Sequence, residues 1–114
     1  MTPEEARPRV ETLLRLAHLP PATESEPVPS AESLDAEGGW TFSWSDPDWS
    51  ATVWVFYSVP DAMAGESDLP PAEAGTTART TINGPLLLRV TGRADDPGTD
   101  QRLSDALSAF AGEE

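Results

Sequence analysis

Residues 40–59 hold all four tryptophans of the chain, its only tyrosine and two of its three phenylalanines. No other stretch constrains the fold as tightly. Two runs of aromatic and β-branched residues flank Asp46-Pro47-Asp48, the pattern of a hairpin whose strands meet at a turn. Pro47 suits the second position of a type I turn opened by Asp46. That turn sets Asp46 opposite Trp49, Trp44 opposite Ala51, Phe42 opposite Val53 and Trp40 opposite Val55. Alternation then places Trp40, Phe42, Trp44, Ala51, Val53, Val55 and Tyr57 on one face, the expected core face. The reverse face carries Thr41, Ser43, Thr52 and Ser58 together with Trp54 and Phe56. A loop one residue longer would exchange the two sets.

The flanking segments supply the other layer. Thr2-Pro3-Glu4-Glu5 combines a capping hydroxyl, a proline for the first helical position and acids for the first turn. Val10, Leu13, Leu14 and Ala17 follow at helical spacing, so a helix is expected that Pro8 kinks or restarts and Pro20-Pro21 ends. Residues 20–39, rich in Pro, Glu, Ala and Ser, read as an extended or mobile linker, with room for a short edge strand near Val28 or Leu34. Residues 61–78 read as a second, Pro-rich loop. Residues 78–91 form a second hairpin about Asn83-Gly84, loosened because Pro85 cannot donate an N–H across the turn. In it Leu86, Leu88 and Val90 share the core face, and Leu87 and Arg89 the reverse. Leu103, Ala106, Leu107 and Phe110 mark a C-terminal helix that starts near Asp96-Pro97 or Thr99-Asp100 and stops at Gly112. The expected architecture is one α+β domain over residues 1–114. It is a two-layer sandwich, with an antiparallel sheet of about four strands (two hairpins) and both helices on one face.

Charge narrows the partners. Twenty acids face seven arginines and no lysine, a formal charge of −13, and no basic residue lies between Arg15 and Arg79 except His18. Such a surface repels phosphate backbones and anionic bilayers, so nucleic acid and membrane are not expected partners. No run of residues is long and apolar enough to span a bilayer, and the acidic, helical opening is unlike a leader peptide, so a cytoplasmic protein is expected. A fragment stripped of its leader would read the same. The absence of cysteine removes disulfide and thiolate chemistry.

The inventory for catalysis is thin. His18 stands alone at a helix end, where a cation suits the helix dipole; a general base or metal ligand needs partners at matched spacing. Asp46, Asp48, Asp95 and Asp96 lack the further ligands and the glycine of a calcium loop, and turns and caps account for them. No Gly-x-Ser-x-Gly elbow and no glycine-rich phosphate cradle is present. The expectation is therefore a protein without catalytic residues, cofactor or metal. The one sharp lead is the sheet's reverse face, where Trp54, Phe56 and Leu87 would stand exposed among Thr41, Ser43 and Arg89. Contiguous apolar area of that kind marks a ligand or partner surface, unless the linker or the 61–78 loop folds over it.

In element order, acidity and size the chain resembles small acidic chaperones and adaptors such as the type III secretion chaperones. No motif carries residues across, and those proteins have a middle helix where this chain has its Pro-rich stretch. The functional expectation is a non-enzymatic acidic binding protein, acting as adaptor, inhibitor or chaperone-like partner, through a protein partner or self-association. The rival is a small-molecule binder or enzyme with an aromatic-lined pocket between the sheet and residues 61–78.

Overall fold

The computed structural model describes residues 2–16, 23–27, 30–45, 48–71 and 74–110. They form α1 (Pro3–Leu16), β1 (Thr23–Ser25), a 3₁₀ turn (Ala31–Leu34), β2 (Gly38–Ser45), β3 (Asp48–Val55), α2 (Val59–Asp68), β4 (Thr76–Asn83), β5 (Leu86–Arg93) and α3 (Thr99–Phe110). The five strands make one antiparallel sheet in the order β1-β2-β3-β5-β4. The class is α+β, as the hairpins predict. The layering is not. α1 and α3 share one face of the sheet, as expected, but α2 and the 3₁₀ turn lie on the other, so there are three layers rather than two.

The first hairpin keeps its predicted faces but not its register. Trp44 pairs with Trp49, Phe42 with Ala51 and Trp40 with Val53, two residues from the expected alignment. A shift of two preserves the parity of every side chain, which is why the face assignment survives. Trp44 and Trp49 now stack at 4.3 Å between ring centroids, 16° from parallel, a contact that favours this pairing. Asp46 and Pro47 lie outside the described residues. Phe42, Trp44, Trp49, Ala51, Val53 and Val55 join Leu86, Leu88, Val90, Leu103 and Ala106 in the main core, with Ala6 and Val10 of α1. Tyr57 does not follow. β3 ends at Val55 and the chain turns toward α2, leaving Tyr57 76% exposed.

α1 runs through Pro8 without a second start. Pro8 is exposed and stands only six residues into the helix, where a single backbone bond is forfeited. The start is fixed by a reciprocal cap: Glu5 N donates to Thr2 Oγ1 at 3.2 Å and Thr2 N to Glu5 Oε1 at 2.9 Å. The side chains of Leu13, Leu14 and Phe110, together with Ala17, Val28 and Gly112, lie outside the described residues. The linker expected at 20–39 contributes β1, which pairs Thr23–Ser25 with Thr41–Ser43, and the 3₁₀ turn.

Three further corrections concern turns and helices. In the second hairpin Asn83 pairs with Leu86, so the connecting residues are Gly84-Pro85 rather than Asn83-Gly84. Gly84 has φ 60°, and proline can follow it only in the primed turn that needs one positive φ rather than two. The missing N–H of Pro85 then costs nothing across the turn, because Leu86 closes it. Residues 61–68 and 76–78 of the expected loop are helix and strand instead. Ser58 accepts from Asp61 N at 3.3 Å and Pro60 occupies the first turn of α2, while β4 begins at Thr76.

Two outcomes follow from these contacts. A Cβ on Gly65 would sit 2.4 Å from Phe56 Cζ, so Gly65→Ala should destabilise the fold by about 1–3 kcal/mol of overpacking despite the better helix propensity of alanine. Urea unfolding measures it. The Thr2 amide, then its hydroxyl, hold the Glu5 carboxyl below its ordinary value. A depressed native value means stability that is full above the ordinary glutamate range and is lost as pH falls through the lowered value. Glu5→Gln, which can still complete the cap, should therefore flatten the acid limb of a stability–pH profile.

Candidate functional site

The reverse face of the sheet divides along the strands. At one end, Trp54, Phe56 and Leu87 are fully buried and form a second apolar cluster with Leu34 and Ala62, flanked by Ala36, Leu69 and Ile82. The open aromatic surface expected there does not exist. Burial of two large rings stabilises the fold by several kcal/mol, and both candidate covers are used: the linker supplies Leu34 and the 61–78 stretch supplies Ala62 and Leu69.

The rest of that face is polar. Thr41 and Thr52 are buried and share a hydroxyl bond of 2.9 Å across β2 and β3. Ser43 is half-buried, opposite Ser50, whose hydroxyl meets that of Thr91 at 2.8 Å. Arg89 reaches over the sheet to donate from Nη1 to the carbonyl oxygen of Pro70 at 2.6 Å, tying the chain after α2 to β5. Its Nε is buried and has no hydrogen-bond partner among the described residues. Of the six residues singled out by parity, all lie on one face, as the alternation required. Three are core, and the others form a hydroxyl row and a tether.

A groove that sequence reasoning missed lies at the opposite edge of the molecule. Its volume is about 1020 Å³, and it runs between the start of α1, the β1–3₁₀ connection and the start of β2. Pro3, Pro27 and Trp40 give it apolar walls, while Glu24, Glu26 and Glu32 line it with carboxylates. Beside it, Arg7 stands 5.1 Å from the Trp40 ring centroid and 5.4 Å from that of Phe42, and its Nη2 donates to Glu24 Oε1 at 2.6 Å. That hydrogen bond, with the nearby carboxylates, raises the affinity of the guanidinium for its proton. Gly38 faces Pro3 so closely that a Cβ there would lie 2.6 Å from the ring. Glu26 and Glu32 are exposed, and no basic side chain lies against them among the described residues. The one signal available beforehand was the run of Glu24, Glu26 and Glu32, but only the tertiary fold brings Trp40 to it.

Asp95 and Asp96 have structural work. Arg93 holds Asp95 in two hydrogen bonds of 3.1 and 3.0 Å, and its proximity keeps that carboxyl below the usual range. Asp96 accepts from Gly98 N at 2.9 Å and orders the turn into α3. Among the described residues no group of three or more histidine or acidic side chains comes together as a metal would require. His18 lies outside the described residues. Among the described residues no helix is long and apolar enough to cross a membrane. No family model matches the chain, and no curated protein and no solved structure is significantly similar to it.

Trp54→Ala should therefore report on stability rather than on a surface. Emptying that enclosed site should cost about 3–5 kcal/mol, the range for large-to-small changes of a buried tryptophan, and chemical denaturation of the variant measures it.

Proposed function

We propose that this protein is a non-enzymatic acidic interaction protein that binds a basic protein partner, as an adaptor, inhibitor or chaperone-like factor, through the groove beside Trp40. One observation carries this reading: the protein's own Arg7 already sits against Trp40 with its guanidinium bonded to Glu24. Indole face plus carboxylate is the chemistry that holds arginine or lysine side chains. The groove continues that chemistry outward, where Glu26 and Glu32 have no cation of their own among the described residues.

Electrostatics extends the support beyond the groove. Arg7, Arg79 and Arg93 are spent in pairs with Glu24, Asp100 and Asp95. Exposed Asp35, Glu37, Asp61 and Asp68 add to a field that draws in a basic surface and speeds the encounter. A partner presenting Lys or Arg side chains would meet the three carboxylates, Glu24, Glu26 and Glu32, that line the groove.

The test uses an Arg/Lys-rich peptide titrated into the protein while Trp fluorescence is followed. Saturable binding is expected that weakens steeply as salt rises. Glu26→Gln with Glu32→Gln should weaken it by about tenfold, equivalent to about 1.4 kcal/mol, with unchanged stability. Binding that ignores both salt and the double variant would remove the proposal.

A further inference from the structure

Among the described residues the sheet has one long open edge. There β4 pairs only with β5, and its eight residues, TTARTTIN, contain no proline and no bulge. The direction of its backbone groups follows from the ladder. Phe56 N donates to Pro85 O and Ala94 N to Gly75 O, so in β5 the even-numbered groups from Leu86 to Gly92 point toward β4. Their partners are Asn83, Thr81, Arg79 and Thr77. The amides and carbonyls of Ala78, Thr80 and Ile82 therefore point away from the sheet, and none of these three amides has a partner among the described residues. Natural proteins blunt such an edge with charge, proline or a covering element. Here the only charged side chain of the strand is Arg79, and it is turned to Asp100 of α3 at 3.2 Å.

Charge selects what can lie along this edge. Residues 74–94 are the longest stretch of the sequence without an acid, and they carry Arg79, Arg89 and Arg93. On a chain of net charge −13, this is where a second copy can approach without opposing carboxylates on the paired strands. The edge is also recessed. A cleft of about 430 Å³ runs along Ala78, Arg79 and Thr80, walled by Glu66, Leu69 and Pro70 from one layer and by Leu107 from the other; Glu66 is held there by the Thr80 hydroxyl, which donates to its Oε2 at 3.1 Å. Leu69 and Leu107 remain half-buried there, and an added strand would cover them.

We infer that this protein self-associates by antiparallel pairing of β4 with β4 of a second copy, giving one continuous sheet through both. The register is constrained. Outward groups must meet outward groups, so the two-fold axis passes through a residue rather than between two. Centring it on residue 79 would set two arginines directly opposite, which is unfavourable. Centring it on Thr80 pairs Thr80 with Thr80, Ala78 with Ile82 and Arg79 with Thr81, and it engages Ala78, Thr80 and Ile82 of both copies. This surface is separate from the groove beside Trp40, and salt distinguishes the two. Screening the like charge of two copies strengthens self-association, whereas it weakens capture of a basic partner.

Sedimentation of the full chain from micromolar to millimolar concentration tests it, at low and at high salt. A monomer–dimer equilibrium that tightens with salt is expected. Thr80→Pro removes an outward N–H that β5 does not use, a position where an edge strand tolerates proline, and should raise the dissociation constant by about tenfold or more. Amide hydrogen exchange on the unaltered protein gives a readout independent of any variant. Protection of Ala78, Thr80 and Ile82 should rise with protein concentration, while that of Thr77, Arg79 and Thr81 stays constant. A protein monomeric to millimolar concentration overturns the inference. So does a dimer in which the three outward amides still exchange freely.

Discussion

Everything in this structure depends on β3 being buried on both faces at once. Val53 and Val55 point into the core beneath α1 and α3, and Trp54 and Phe56 point the other way. Strict alternation leaves a strand no means of hiding both sets with one layer of helices. A single-sided sheet would leave the rings of Trp54 and Phe56 in water, at a cost of several kcal/mol against a total stability of only about 5–15. The chain resolves this by recruiting two segments that have little apolar character of their own. Leu34 anchors one and Ala62 the other. α2 lies close because Gly65 has no side chain to hold it off Phe56.

That constraint removes the aromatic face as a candidate surface. With the rings enclosed, the surfaces proposed for recognition are a carboxylate-lined groove beside Trp40 at one end of the strand order and, at the other, a strand with one neighbour among the described residues. They differ in sign and chemistry. The groove presents acids around an indole, and the β4 edge presents backbone groups in the only long acid-free stretch of the chain.

How much of this was legible in advance can be argued residue by residue. The α+β class, the common side of the first and last helices and the faces of both hairpins follow from periodicity. Val10, Leu103, Ala106, Leu86, Leu88 and Val90 all lie where their spacing put them. The hairpin offset escaped because proline-based turn rules do not weigh the Trp44–Trp49 stack that the actual register allows. α2 escaped for a different reason. Its packing face consists of Ala62 and Gly65, too small to leave an apolar rhythm, and only Ser58, Pro60 and Asp61 mark its beginning. The candidate residues Trp54, Phe56 and Leu87 were assigned to the correct face, but whether that face is wet depends on segments distant in sequence.

The sequence alone determined which side of each strand and helix is apolar, because alternation and the helical repeat are properties of the local backbone. It also determined that the chain is acidic and lacks the inventory for thiol chemistry. Only the tertiary structure decided what covers the reverse face, which residues stand beside Trp40 and which long strand has a single neighbour among the described residues. Those outcomes come from contacts between segments tens of residues apart, where small side chains fit against large ones and no repeat in the sequence records the match.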